Sequence, residues 1–155
     1  MNYIKSPRGG RQSPFSAALD GDERENLLLH RGKLSFVVMN KYPYNCGHLL
    51  VLPQREVADP LDLNGDESVE LWRSVLLCEK VLRRTMKPDG FNIGFNIGSA
   101  SGAGLPKHLH CHVVPRWDGD TNFMPVIGEI KVLPQALEHL YDQLLPIFSE
   151  EAGTN

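Results

Sequence analysis

The chain has 155 residues, of which 41% are hydrophobic and 23% charged, and a formal net charge of −3. That is enough apolar material for one domain with its own core, and the acidic balance argues against a general nucleic-acid coat. No apolar run approaches a membrane span, and the opening Met1-Asn-Tyr-Ile-Lys-Ser-Pro-Arg8 lacks the apolar segment of a signal peptide, so no membrane partner is expected.

Residues 1–26 read as an N-terminal arm, whose Lys5, Arg8 and Arg11 beside Gly9-Gly10 make it basic. Such arms are usually mobile, with contact to a polyphosphate or a partner subunit as the alternative. The core is expected over 27–128. Its first strands are Leu34-Ser-Phe-Val-Val-Met39 and His48-Leu-Leu-Val-Leu52, joined by the turn Tyr42-Pro-Tyr-Asn-Cys-Gly47. Asn64-Gly-Asp-Glu67 opens a helix of about twenty residues, which Pro88-Asp-Gly90 ends. Val69, Trp72 and Leu76, with Val75 and Leu82, recur at helical period and are expected to form its buried stripe, Trp72 as core rather than ligand platform.

Two more strands are expected at 91–97 and 108–114, then a loop containing Trp117, Asn122 and Phe123, which either bounds a nucleotide pocket or packs on a partner. A final helix and tail occupy 129–155, the helix starting near Pro134 with Leu137, Leu140, Tyr141 and Leu144 on one side. The order β-β-α-β-β-α with hairpin neighbours argues an α+β fold built on an antiparallel sheet, with one long helix and a C-terminal helix. Cys46, Cys78 and Cys111 have no paired spacing and read as small buried hydrophobes in a reducing cytoplasm.

The chemistry concentrates in His108-Leu-His-Cys-His-Val-Val-Pro-Arg116. On a strand, alternate side chains share a face, which puts His108, His110, His112 and Val114 on one side and Leu109, Cys111 and Val113 on the other. Scattered histidines are usually structural, but three in alternation over an apolar opposite face favour a site. His-x-His on a strand can hold a metal ion, or one imidazole can act as nucleophile while its neighbours bind substrate. The preceding Gly98-Ser-Ala-Ser-Gly-Ala-Gly104 allows positive φ and converging backbone N–H groups, and Lys107 adds a cation beside the first histidine. A phosphate held by that loop would lie against the imidazoles, which favours phosphate chemistry over a bare metal centre.

The His-x-His-x-His pattern, together with Asn40-Lys-Tyr-Pro-Tyr-Asn-Cys-Gly-His48-Leu-Leu-Val-Leu-Pro53, resembles the histidine-triad (HIT) nucleotide-binding proteins over about Leu28 to Pro125. Gly98–Gly104 and Pro115–Pro125 are most similar to a bacterial branch related to diadenosine tetraphosphate phosphorylases. The resemblance implies a HIT-like fold, a homodimer paired through the long helix and an edge strand, and a purine nucleotide or dinucleoside polyphosphate as substrate. It makes His110 the nucleophile that forms a transient nucleotidyl-histidine at the α-phosphorus. A protonated His112 assists the leaving group, His108 supports the site through hydrogen bonding, and His48 completes the cluster. Asn40 matches a ribose contact and Asn96 an asparagine that holds the α-phosphate, while the backbone at Gly102 and Gly104, with Lys107, is expected to bind phosphate. No cofactor is required, a Mg2+ ion accompanying the polyphosphate being the one optional companion.

Two departures stand out. Many relatives carry Cys-x-x-Cys near the N-terminus and bind zinc through those thiolates, the Gly-His histidine and the first triad histidine. Here Ser13-Pro-Phe-Ser16 stands in that place, and serine is a poor zinc ligand, so no metal site is expected. Gly104 replaces a glutamine of well-known branches, which shifts phosphate binding toward backbone amides. Water or phosphate as the final acceptor stays open. So do two other classes: a nucleotide-binding module with vestigial catalysis, and a histidine-ligated metal hydrolase.

Overall fold

The computed structural model describes residues 13–102, 104–120 and 137–153. Its elements are helix α1 (Pro14–Asp20), strands β1 (Leu28–Arg31), β2 (Ser35–Met39) and β3 (Leu49–Pro53), helix α2 (Gly65–Met86), strands β4 (Gly90–Phe95) and β5 (Cys111–Arg116), and helix α3 (Leu137–Ala152). Short 3-10 turns occupy Pro60–Asp62 and Ser99–Ser101. All five strands pair antiparallel in the order β1-β2-β3-β5-β4, so the expected α+β architecture holds. No helix among the described residues is long and apolar enough to cross a membrane.

The sheet separates two apolar clusters. On one side Val37, Met39, Leu49, Val51, Cys111 and Val113 pack against Leu71, Val75, Cys78 and Leu82 of α2 and Leu140, Tyr141, Leu144 and Phe148 of α3. On the other, Leu28, Phe36, Val38, Leu50 and Leu52 are covered by Phe15 and Leu19 of α1. Each large apolar side chain sealed this way contributes about 1.5–3 kcal/mol, and the alternating strand pattern assigns each residue its side.

Helix α2 begins as its sequence requires. The Asn64 side chain accepts from the Glu67 amide, and the Glu67 carboxylate accepts from the Asn64 amide, both at 2.9 Å. This reciprocal cap satisfies two amides that the first turn leaves without partners. The apolar stripe, however, matches the expected one only at Val75 and Leu82. Val69, Trp72 and Leu76 are 51%, 53% and 47% exposed, and the buried arc runs through Leu71, Val75, Cys78 and Leu82. Both arcs have helical spacing, so periodicity alone does not say which faces the sheet. Trp72 lies on the outside.

Three other differences concern boundaries. Strand β1 was not anticipated, and the segment read as an arm contains α1, with Ser16 and Ala18 buried. Regular pairing of the histidine segment starts at Cys111, after His108 and His110. The basic residues Lys5, Arg8 and Arg11, the pair Asn122 and Phe123, and the start of the last helix near Pro134 lie outside the described residues. Within them, Leu140, Tyr141 and Leu144 are buried as expected.

Candidate active site

His110 and His112 project from the β5 segment on the α1 side of the sheet, where His112 stands across from Leu50 of β3. Their rings meet edge to face with centroids 5.0 Å apart. His48, at the entrance to β3, closes the cluster with its ring 5.1 Å from that of His112. Alternation along the β5 segment and the pairing of β3 with β5 therefore bring three of the four expected imidazoles together.

The backbone fixes the tautomer of His110. Its Nδ1 lies 2.8 Å from the carbonyl oxygen of His108. A carbonyl only accepts, so Nδ1 carries the proton and Nε2 holds the free lone pair. No described group bonds to that Nε2, and among the described residues no buried side-chain nitrogen or oxygen lacks a partner, so Nε2 opens to solvent although the residue is only 7% exposed. A neutral imidazole with an available, in-plane lone pair is the form in which histidine acts as a nucleophile.

A second chain of bonds sets His112. The Tyr44 amide donates to His48 Nδ1 at 3.1 Å, and Asn40 Nδ2 approaches the same atom at 3.2 Å. His48 Nδ1 is thus an acceptor, and the neutral ring bears its proton on Nε2. That proton is directed at His112 Nδ1, 2.9 Å away, leaving His112 protonated on Nε2. Asn96 Nδ2 is placed 3.4 Å from His112 Nε2. With Nε2 as donor, turning the carboxamide over presents Oδ1 as its acceptor. The site so pairs an imidazole lone pair on His110 with an imidazole N–H on His112.

Electrostatics keep both supporting rings neutral. Burial, then repulsion from His112 and His110, pushes His48 down to about 3. Burial and His110 push His112 down to about 4. In the unliganded chain the proton that His112 offers is therefore the Nε2–H of a neutral ring. Tyr44, 65% exposed, stacks on His112 at 5.6 Å and tilts over His48 at 4.7 Å.

His108 turns away from this cluster. It is 1% exposed, with Nε2 donating to the Pro53 carbonyl at 2.8 Å and Nδ1 accepting from the Ser13 hydroxyl at 3.0 Å. Its expected support of the site comes through its backbone carbonyl rather than its ring. Lys107 is exposed and lines an open cleft of about 570 Å3 with Arg55, Glu56 and Asp62. No described contact joins Lys107 to the imidazoles. In the glycine loop, Gly98 and Gly102 have φ of 78° and 81°, the backbone that such residues were expected to supply. Gly104 lies in the bend that follows. The residues not foreseen are Tyr44, Ser13 and Phe15. A backbone amide and a helix lying 95 positions before the histidine it touches leave no local signal in the sequence.

The zinc ligands that the resemblance names do not converge here. His48 faces His112, whereas His108 faces Ser13, and both nitrogens of His108 are already engaged. Ser13 and Ser16 supply hydroxyls where thiolates would be needed, and no cluster of three histidine, cysteine or acidic side chains suited to a metal occurs among the described residues. The donor set does not fit zinc.

Comparison with known proteins agrees with this architecture. The HIT domain family model matches residues 22–119. A protein from Mycobacterium tuberculosis named AP-4-A phosphorylase is 46% identical over 145 residues, spanning 88% of this chain and 74% of its own length. The bis(5'-nucleosyl)-tetraphosphatase [asymmetrical] of Schizosaccharomyces pombe is 36% identical over 93 residues, 60% of this chain and 50% of its own. In fold, the chain is similar to a Zn-bound histidine triad family protein from Mycobacterium smegmatis, with a TM-score of 0.70 at 21% identity over 91% of this chain and 96% of that one. A hypothetical histidine triad nucleotide-binding protein from Sulfolobus tokodaii gives 0.69 at 25% identity, over 92% and 93% of the two chains. With its family match over most of the sequence and its three rings gathered on one face of a five-stranded sheet, the chain belongs to the HIT domain family.

Proposed function

We propose that the chain cleaves dinucleoside polyphosphates at the α-phosphate, with diadenosine tetraphosphate as the leading substrate. The names of the relatives from Mycobacterium tuberculosis and Schizosaccharomyces pombe support this substrate class. His110 Nε2 attacks the α-phosphorus, the N–P bond forms, and the P–O bond to the remaining polyphosphate breaks. The Nε2–H of His112 donates a hydrogen bond to the departing oxygen, which leaves as part of the polyphosphate anion, and the Nε2–H of His48 holds His112 in the tautomer that presents that donor. A second acceptor then takes the nucleotidyl group from His110. Splitting the transfer in two lets each half use one well-placed ring. The observation that carries the reading is the 2.8 Å bond from His110 Nδ1 to the His108 carbonyl, which aims the reactive nitrogen outward.

Asn96 orients His112 and meets the α-phosphate, while Asn40, whose carboxamide accepts from the Tyr42 amide and donates to His48, borders the ribose. Gly102, Gly104 and Lys107 take the outer phosphates, with Mg2+ arriving on the substrate. Phosphate is the favoured second acceptor, because the relative that is 46% identical bears the name phosphorylase. Two copies pair through the exposed Val69, Trp72 and Leu76 of α2 and the edge strand β4, where Ile93 is 37% exposed. The three unpaired cysteines support a reducing cytoplasm.

The test is a product assay on diadenosine tetraphosphate with and without inorganic phosphate. ADP plus ATP marks phosphorolysis, and AMP plus ATP marks hydrolysis. His110→Ala is expected to abolish turnover while AMP binding and folding persist. Turnover in that variant removes the mechanism, and AMP binding by the wild type without turnover of any dinucleotide makes the chain a binding module.

A further inference from the structure

The nucleophile is touched from a direction that the reaction scheme does not use. Phe15 of α1 lies against the His110 ring at 5.6 Å, tilted by 48°, and meets the His108 ring edge-on at 6.0 Å. The start of α1 is itself tied down. The Ser13 amide donates to Glu56 at 3.1 Å, and the Ser13 hydroxyl donates to His108 Nδ1 while accepting from the Phe15 amide at 3.2 Å. His108 is anchored in turn on the Pro53 carbonyl. This seven-residue helix, short for independent stability, is held by side-chain hydrogen bonds at the place where the resemblance puts the cysteines of other family members, and its one aromatic ring bears on the nucleophile.

We propose that α1 acts as a bracket for the nucleophile: Phe15 is a positioning residue that holds the His110 ring in line with the His108 carbonyl, and Ser13 anchors that bracket on His108. The proposal rests on His110 being the nucleophile. The reasoning is geometric. An imidazole held by one bond at Nδ1 can still swing about Cβ–Cγ, and a ring that swings loses both the bond and the direction of its lone pair. Phe15 and His112 both bear on the ring, at 5.6 and 5.0 Å, and restrict that swing. Phe15 also packs on the cluster of Leu28, Phe36, Val38, Leu50 and Leu52, so its own position is set by the sheet.

The experiment compares Phe15→Leu, Ser13→Ala and Ser13→Thr with the wild type. It measures kcat and KM on diadenosine tetraphosphate, and the His110 tautomer by imidazole nitrogen NMR on the free protein. Phe15→Leu and Ser13→Ala are expected to lower kcat by about ten- to a hundredfold with KM changed less than about twofold, the scale of a misplaced reacting group. In both, the Nδ1–H form of His110 gives way to a mixture of tautomers, and Ser13→Thr restores wild-type values. Unchanged kcat with an unchanged tautomer overturns the bracket. So does a loss confined to KM, which makes Phe15 a wall of the substrate pocket. If Phe15→Leu does not fold, Ser13→Ala against Ser13→Thr decides. His110→Ala is run alongside: its retained turnover defeats the nucleophile assignment, whereas the tautomer measurement needs no substrate and judges the bracket separately.

Discussion

Acid should loosen this fold through His48, and by an amount that can be isolated. The ring is 1% exposed, and burial, then His112 and His110, lower its pKa from 6.5 to about 3. Because the folded value is the lower one, the unfolded chain takes up the proton first. The stability is therefore complete above 6.5 and drains away as the pH falls below it, until the folded ring itself titrates near 3. At about pH 5 the folded ring is still neutral, so the loss depends on the unfolded side alone and comes to about 2 kcal/mol. His48→Gln removes that titration and keeps a polar side chain. Urea unfolding at about pH 7.5 and about pH 5 should show a drop in stability smaller by about 2 kcal/mol in the variant than in the wild type. His108 and the carboxylates, which do not touch His48, titrate in both proteins and cancel in the difference. Equal drops would refute the claim that a buried neutral ring sits at the centre of the site.

Three more outcomes follow from particular contacts. Asn64→Ala breaks the reciprocal cap of α2 and should cost about 1 kcal/mol in urea unfolding, with kcat unchanged. Gly47→Ala puts a methyl group 2.7 Å from Met86 Sδ and 3.1 Å from the Pro115 ring at a φ of 80°, so it should lower stability by more than about 1 kcal/mol in thermal or urea unfolding. Pairing it with Met86→Ala should recover only the steric part, since the backbone conformation stays unfavourable. Trp72→Glu places a charge in the exposed α2 arc and should halve the mass seen by sedimentation if the chain pairs there, while an unchanged mass would refute that interface.

The parts of the fold that were legible in the sequence are those where local rules and tertiary packing agree. Strands β2 and β3 announce themselves by continuous β-branched and aliphatic runs, and Asn64 with Glu67 states its own helix start. The face alternation of the histidine segment also carried through, because Cys111 and Val113 demand the core. Strand β1 is four residues ending in His30-Arg31, too short and too polar to read as a strand without its partner β2. Helix α1 is equally silent, since what holds it is His108, Glu56 and the second apolar cluster, all distant in the chain. On α2, two apolar arcs compete, and only the position of the sheet decides between them. In the site, residue types were readable and roles were not. The spacing gathered His110 and His112, but the burial of His108 and the proton positions depend on the Pro53 and His108 carbonyls and the Tyr44 amide.

One of those carbonyls has an evolutionary consequence. The acceptor that fixes the tautomer of His110 belongs to the main chain of residue 108, and every amino acid carries that same oxygen. Point substitution at 108 can unfasten α1, yet it leaves in place the oxygen that decides which ring nitrogen carries the proton. A lineage that trades away the first member of the triad therefore keeps the oxygen that sets the His110 tautomer, and needs a new contact to hold α1 so that the ring stays on that oxygen.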